Sequence, residues 1–184
     1  MKLIIRSIIV TSIIFLTSAC TNIAPLDFTV QDVGPIENRK DAEVKSITVG
    51  FATQSQQKEV DYNHEMPPIW KESLTDALNR SLAFRDDTEL KVNVSVRIIE
   101  ADAPSFGASM TTTVGAIYEI VDRETGDMLM AETITTEGAV PFDYALHGLV
   151  RAREAVNRAV RNNIAEFINR LELADFSKPV FPSR

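Results

Sequence analysis

Few residues in this sequence could carry out covalent or acid–base chemistry. The chain has one cysteine, Cys20, and two histidines, His64 and His147. A nucleophilic serine needs a base beside it, and the Gly-x-Ser-x-Gly turn of many hydrolases is absent from the sequence. The seven glycines are scattered and form no phosphate-binding loop. We therefore expect no catalytic residues, no enzymatic activity and no cofactor.

Local structure explains the two histidines better than metal binding or catalysis does. His64 precedes Pro67-Pro68, which prevents a helix from continuing through the motif, and the second histidine of a zinc-binding helix is missing. A solvated loop accounts for it. His147 lies four residues after Asp143, a spacing that puts two side chains on one helical face. A polar cluster at the start of a helix explains this pair, and we expect no metal site.

The first twenty residues have the pattern of an export signal. Lys2 and Arg6 supply positive charge, and residues 8–16 form an apolar run in which only Thr11 and Ser12 are polar. This run is too short to span a bilayer, which requires about 20 apolar residues. Residues 1–19 are therefore predicted to be a signal peptide that is removed from the mature protein.

The end of this signal, Leu16-Thr17-Ser18-Ala19-Cys20, resembles the lipobox of bacterial lipoproteins. Thr17 stands where that family usually has leucine. The resemblance implies that the sulfur of Cys20 receives a diacylglyceryl group, that the chain is cut before it, and that the new amino terminus is acylated. Thr21, rather than aspartate, follows the cysteine, which implies the periplasmic side of the outer membrane rather than the inner membrane. The alternative is an ordinary secretory signal followed by an accidental cysteine.

Composition limits the partners and the means of stabilisation. The 184 residues include 26 acidic and 19 basic side chains, giving a formal net charge of -7. Such a chain has no general attraction for nucleic acid, because its summed field repels phosphate. One cysteine allows no intramolecular disulfide. With 45% apolar residues the chain can instead be stabilised by an ordinary packed core.

The chain after the signal divides into a tether, one domain and a tail. We expect a lipidated tether at residues 20–43, with a short strand at 26–33 that adds to a sheet edge. A single domain follows at 44–172, and residues 173–184 form the tail. The strand prediction depends on the alternation of apolar and polar residues.

The spacing of apolar residues predicts the elements of the domain. Strands are expected at 44–51, 90–98, 110–121 and 128–137, and helices from Pro67 to before Arg85 and from 143 or 148 to 171. Even positions of 90–98 are apolar and odd ones polar, as in a strand with one buried face. The last helix has an apolar stripe from Leu149 to Leu171. These elements predict an α+β two-layer sandwich, with a mainly antiparallel sheet of four to five strands and two helices on one face.

A lipobox, a tether and this order of elements resemble several small periplasmic lipoproteins. Examples are the auxiliary lipoproteins of ABC-type envelope transporters and the lipoprotein activators of peptidoglycan synthases. The nearest feature to a motif is the Arg-rich segment 151–164. The resemblance implies a non-enzymatic, protein-binding role, and no functional residue can be transferred from it.

Two surfaces are candidates for binding a partner. Phe106 and Met110 lie in a break rich in small residues between two long strands, and exposed apolar residues there would mark a groove for an envelope protein. Phe106 could equally fold under the sheet edge. A free edge strand could also accept a partner strand. The sequence does not specify the partner or the oligomeric state.

The leading hypothesis is a membrane-anchored lipoprotein that binds another envelope protein, as an accessory subunit of a transport or cell-wall assembly. The alternative is a carrier that holds a lipid or small envelope ligand between sheet and helices, in a cavity lined by Trp70 and Phe167. An envelope hydrolase is a third possibility, and it would require His147 or His64 to meet a carboxylate and a hydroxyl.

Overall fold

The computed structural model describes residues 25–60, 65–103, 107 and 109–182. The export signal with Cys20, His64 and Phe106 lie outside the described residues. Four strands, two α-helices and one 3-10 turn form the fold. They are β1 (Glu43–Phe51), α1 (Met66–Ser81), β2 (Lys91–Asp102), β3 (Met110–Asp122), β4 (Met128–Val140), the 3-10 turn (Phe142–Tyr144) and α2 (Gly148–Leu173).

The strands form one mixed sheet in the order β1-β2-β3-β4. β1 pairs with β2 in parallel, and the other two pairs are antiparallel. The two helices lie on the same face, because Tyr118 of β3 contacts both Trp70 of α1 and Asn163 of α2. The predicted α+β sandwich, with a mainly antiparallel sheet and two helices on one face, is confirmed.

The alternation in β2 sets the two faces of the sheet. Val92, Val94, Val96 and Ile98 are buried against the helices, while the intervening residues are only partly buried on the other face. A hairpin joins β3 to β4, and Gly126 adopts a positive φ of 79° there. Glycine suits this left-handed backbone conformation because glycine has no Cβ.

The helices begin close to the predicted residues, with one difference at the start of α2. Prolines occupy the first turn of α1, where their missing N–H groups cost no hydrogen bond. The apolar stripe of α2 is buried from Ala155 to Leu171. Leu149, predicted to begin that stripe, is 67% exposed. The first turn of α2 therefore extends past the core.

Residues 25–42, called here the N-terminal strap, are not a sheet strand. The predicted strand at 26–33 is wrong, because these residues form no ladder with the sheet. Their alternation has another cause. Leu26, Phe28 and Val30 are buried in the core, and the ring of Phe28 meets that of Trp70 edge-on at 6.3 Å. An extended segment packed on helices shows the same alternation as a strand.

Side chains of both helices bind the backbone of the strap in place of a neighbouring strand. The N–H of Asp27 donates to Oδ1 of Asn157 at 3.1 Å, and Arg161 donates to the carbonyl of Asp27 at 2.9 Å. Arg80 of α1 donates to the carbonyl of Val30. Further along, Nζ of Lys40 donates to the carbonyl of Ala174 at 2.6 Å. The strap thus runs along α2 as part of the domain, and the predicted tether does not extend into it.

The substitution Asn157→Ala tests this attachment. It leaves the N–H of Asp27 without its acceptor, and we expect the free energy of unfolding to fall by about 1–2 kcal/mol. Asn169→Ala is the matched control, because Asn169 is an exposed asparagine of the same helix. Urea denaturation measures both variants. Equal stabilities would show that the strap is only loosely held.

Candidate partner-binding groove

A surface groove of about 650 Å³ lies between β1 and α1. It is called here the β1 groove. One wall is the outer side of β1, and the other is the last two turns of α1 with the segment that follows. Its apolar lining includes Ile47, Leu78, Leu82 and Phe84. Leu82 is 46% exposed and adopts a left-handed φ of 50° where α1 ends. The end of the helix therefore presents an apolar side chain to this groove.

Backbone groups of β1 also face the groove. The N–H of Ala52 donates to the carbonyl of Ile98 in β2 at 2.9 Å. Backbone groups of successive residues in a strand point to opposite sides, so Thr48 and Gly50 also point their groups toward β2. Those of Ile47 and Val49 point away from it. Among the described strands β1 has no neighbour on that side, so these groups are available to another strand.

The beginning of β1 is less open than its middle. A bulge interrupts the pairing between Val44 and Ser46. Glu43 forms ion pairs with Lys45 and Lys91, and these hydrogen bonds lower the pKa of its carboxyl to about 2. Bulges and lysines discourage indiscriminate pairing at a sheet edge. A partner strand is therefore directed to the later part of β1, from Ile47 onward.

The charged side chains of the groove favour an acidic partner. Nε of Arg39 donates to the carbonyl of Leu82 at 2.6 Å and Nη2 to that of Phe84 at 3.1 Å, which fixes the guanidinium at the groove wall. In the described part of the chain, no carboxylate lies within 4 Å of Arg39 or of Lys71, which also lines the groove. Among the residues that line the β1 groove, Asp86 is the acidic one. Two cations that form no ion pair with the described residues thus border a strand edge in a chain of net charge -7.

The opposite edge of the sheet is hydrogen-bonded at both of its ends. Arg158 and Asn162 of α2 donate to the carbonyls of Ala139 and Glu137 in β4, at 2.8 and 2.9 Å. The start of β4 is bridged by the C-terminal segment, where the N–H of Met128 donates to the carbonyl of Phe181 at 2.9 Å. β1 is therefore the edge at which a partner strand could pair.

The structure does not place Met110 on a partner surface. Its side chain is 1% exposed and packs with Val140 and Ala155. The expectation that it is exposed is wrong, because even-numbered residues of β3 face the helices and Met110 has the same parity as Tyr118. The parity of this strand, read from the sequence, already contained that signal. Phe106 lies outside the described residues, and its predicted role stays a prediction.

The polar residues near His147 are not on one helix. His147 has an extended backbone just before α2, whereas Asp143 lies in the separate 3-10 turn. The helical spacing of four residues therefore does not apply to them. Among the described residues, no three His, Cys, Asp or Glu side chains are grouped so that they could hold a metal ion.

The space between sheet and helices at Trp70 and Phe167 is filled by side chains. Both residues are fully buried. The ring of Tyr118 stacks on Phe167 with centroids 4.2 Å apart, and Nε1 of Trp70 donates to the hydroxyl of Tyr118 at 3.3 Å. Closely packed rings leave little room for a ligand between them. The alternative of a ligand carrier therefore receives no support at these two residues.

Comparison with known proteins identifies the fold and no family. No family model matches the chain, and no curated protein matches it. Protein XCC0632 from Xanthomonas campestris, of the DUF330 family model, is 13% identical over 80% of this chain and 94% of that chain, with a TM-score of 0.54. At this identity the likeness shows a shared fold alone.

Two other solved structures are similar at lower TM-scores. The minor lipoprotein from Acinetobacter baumannii is 11% identical over 76% of this chain and 94% of that chain, with a TM-score of 0.43. PelC from Paraburkholderia phytofirmans, described as a dodecamer, is 14% identical over 77% of this chain and 95% of that chain, at 0.48. Within the described residues, neither helix has the length and apolar character needed to cross a membrane.

Proposed function

We propose that this chain is a bacterial lipoprotein, held by lipid on Cys20 at the periplasmic side of the outer membrane, that binds an extended segment of another envelope protein in the β1 groove. In this role it is an accessory subunit of a transport or cell-wall assembly. The observation that supports the binding role is the edge of β1, which has no neighbour among the described strands, beside a groove with two cations that form no ion pair with the described residues.

The β1 groove suits a partner strand in three respects. Backbone groups of Ile47 and Val49 can pair with an added strand, which supplies affinity from main-chain hydrogen bonds. Side chains of that strand alternate, so every second one faces the apolar lining. A carboxylate at the groove wall meets Arg39 or Lys71, which form no ion pair with the described residues. The proposed partner segment is therefore extended, partly apolar and acidic.

The substitution Val49→Pro tests the groove without removing a bond of the sheet. The N–H of Val49 points away from β2, so proline there blocks an added strand but leaves the β1–β2 ladder intact. We expect capture of the envelope partner, measured after crosslinking in cells, to fall about tenfold or more. The circular dichroism spectrum should be unchanged.

Thr48→Pro is the control for this experiment. The N–H of Thr48 points toward β2, so proline there removes a ladder bond and should lower stability as well. Undiminished partner capture by a folded Val49→Pro variant would refute binding at this strand edge.

The substitution Cys20→Ala tests the anchor. Without the sulfur no acyl chains can be attached, and each buried methylene of such chains contributes about 0.8 kcal/mol to membrane binding. The variant should move from the membrane fraction to the soluble periplasm. Thr17→Leu, which restores the usual lipobox residue, should stay with the membrane. Continued membrane attachment of the Cys20→Ala protein would contradict acylation at this residue.

A further inference from the structure

Four exposed apolar side chains cluster between β4 and α2. Phe142, Tyr144, Leu146 and Leu149 are 58, 49, 89 and 67% exposed. They are called here the apolar tip. Scattered exposed apolar residues are ordinary, but four within eight residues at one end of a domain form a patch of the kind that contacts another phase or molecule. The β1 groove contains none of them.

Arginines hold the tip in place. Arg151 is 4% exposed and donates to the carbonyls of Ala145 at 2.6 Å, Leu146 at 3.1 Å and Gly107 at 3.1 Å. Its guanidinium also lies 4.9 Å from the ring centroid of Phe142. A buried arginine that binds three carbonyls fixes the backbone from which the apolar side chains project.

A second arginine supports Tyr144, the other aromatic residue of the tip. The guanidinium of Arg158 lies 5.3 Å from the ring centroid of Tyr144 and donates to the carbonyl of Ala139. Both rings thus have one face against a cation and the rest exposed. Rings held in this way present apolar surface with little loss of conformational entropy when they bind.

The described part of the strap runs toward the same end of the molecule. Lys40 bonds to Ala174 at the end of α2, and Asp27 bonds to Asn157 near its middle. Followed upstream, the chain therefore heads for the beginning of α2. Cys20 precedes Pro25 by five residues, a reach of up to about 17 Å. Asn157 is eight residues from Leu149, about 12 Å along the helix.

We propose that the apolar tip inserts into the surface of the lipid bilayer beside the acylated Cys20. This inference rests on the anchor in the proposed function and is independent of the β1 groove. Aromatic side chains are favoured at the boundary between acyl chains and headgroups. The tip orients the domain on the membrane, whereas the acyl chains alone would leave it free to turn.

The charges around the tip fit a phosphate-bearing surface. Residues 148–161 of α2 carry Arg151, Arg153, Arg158 and Arg161 against the single carboxylate of Glu154. Arg158 and Arg161 pair with that carboxylate, and for Arg153 no carboxylate lies within 4 Å among the described residues. Asp143 within the tip and Asp27, which also pairs with Arg161, offset part of this positive charge. Four arginines against three carboxylates leave the region weakly basic within an acidic chain, and lipid headgroup phosphates can lie close to it.

Fluorescence quenching by lipid tests the insertion. A Leu146→Trp variant of the full, acylated protein is placed in vesicles of phosphatidylethanolamine and phosphatidylglycerol with brominated acyl chains. Thr133→Trp is the control, because Thr133 is exposed on the sheet face opposite the helices. The unsubstituted protein supplies the background of buried Trp70. We expect quenching at residue 146 to exceed that at residue 133 about twofold or more, since inserted side chains reach roughly 5–10 Å into the interface.

Equal quenching at the two positions would overturn the proposal. The apolar tip would then be a contact surface for a protein partner or for a second copy of this chain. A Leu149→Trp variant repeats the measurement at a second exposed position, so that failure of one variant to fold does not decide the result. Loss of partner capture in Val49→Pro with quenching intact would support the groove and the tip as separate surfaces. Release of the Cys20→Ala protein from the membrane tests only the lipid anchor, whatever quenching the tip variants show.

Discussion

Replacing Gly138 with alanine is expected to lower the free energy of unfolding by about 4 kcal/mol, a large fraction of the stability of a domain of this size. A Cβ atom at Gly138 would lie 2.2 Å from the carbonyl oxygen of Ala155 and 2.3 Å from the nitrogen of Ala159. Both atoms belong to the backbone of α2. The helix must therefore move away from β4 as a whole to admit one methyl group.

Gly50→Ala is the matched control for this prediction. Gly50 is also a strand glycine, but no heavy atom lies within 4 Å of a Cβ built on it. We expect a change within about 0.5 kcal/mol, as for most surface substitutions. Urea denaturation compares the two variants. Equal stability of Gly138→Ala and Gly50→Ala would show that α2 does not pack directly on β4.

The second large effect is expected for Asn163→Leu, at about 3 kcal/mol. Asn163 is fully buried, and its Oδ1 accepts from the hydroxyl of Tyr118 at 2.9 Å. Its Nδ2 donates to the carbonyl of Ile134 at 3.0 Å. Leucine has a similar volume but leaves the O–H of Tyr118 without an acceptor and the carbonyl of Ile134 without this donor in the core, at about 1–3 kcal/mol each. Burial raises the pKa of Tyr118, so its hydroxyl keeps the proton that it donates.

A double-mutant cycle separates this bond from simple repacking. In Tyr118→Phe/Asn163→Leu both partners of the bond are gone, so the loss should be smaller than the sum of the two single losses. Thermal or urea unfolding of the four proteins gives the coupling energy. Strictly additive losses would contradict the hydrogen bond between Tyr118 and Asn163.

The fold could be predicted because apolar residues recur at regular spacing within each strand and helix. Even positions of β2 and the stripe of α2 predict which face each element buries, and two striped helices need the same sheet. The parallel pairing of β1 with β2 follows from α1 as the crossover between them. The close approach of Gly138 to α2 could not be predicted, since no local pattern distinguishes it from Gly50.

The sequence was less informative about the candidate surfaces. The alternation at 26–33 indicated an extended segment, but alternation alone does not say whether a sheet or a helix layer covers it. The groove depends on Leu82 and Phe84, which follow α1 and have no period. Leu149 continues the apolar stripe of α2. Its exposure could not be predicted, because the spacing of apolar residues does not show where the core stops covering the helix. Met110 shows the opposite error, because a break in sequence suggested exposure at a buried position.

The most direct test of the binding role is photo-crosslinking at Thr48 in living cells. A photoreactive amino acid at this exposed residue of β1 lines the groove, and one at Thr133, an exposed residue of β4 far from the groove at the other edge of the sheet, is the control. We expect one discrete adduct at residue 48, with an acidic, extended segment of an envelope protein, and we expect it to disappear when Val49→Pro is added. No adduct is expected at residue 133. An adduct at residue 133 alone, the same adduct at both residues, or none at residue 48 would contradict partner binding at the edge of β1.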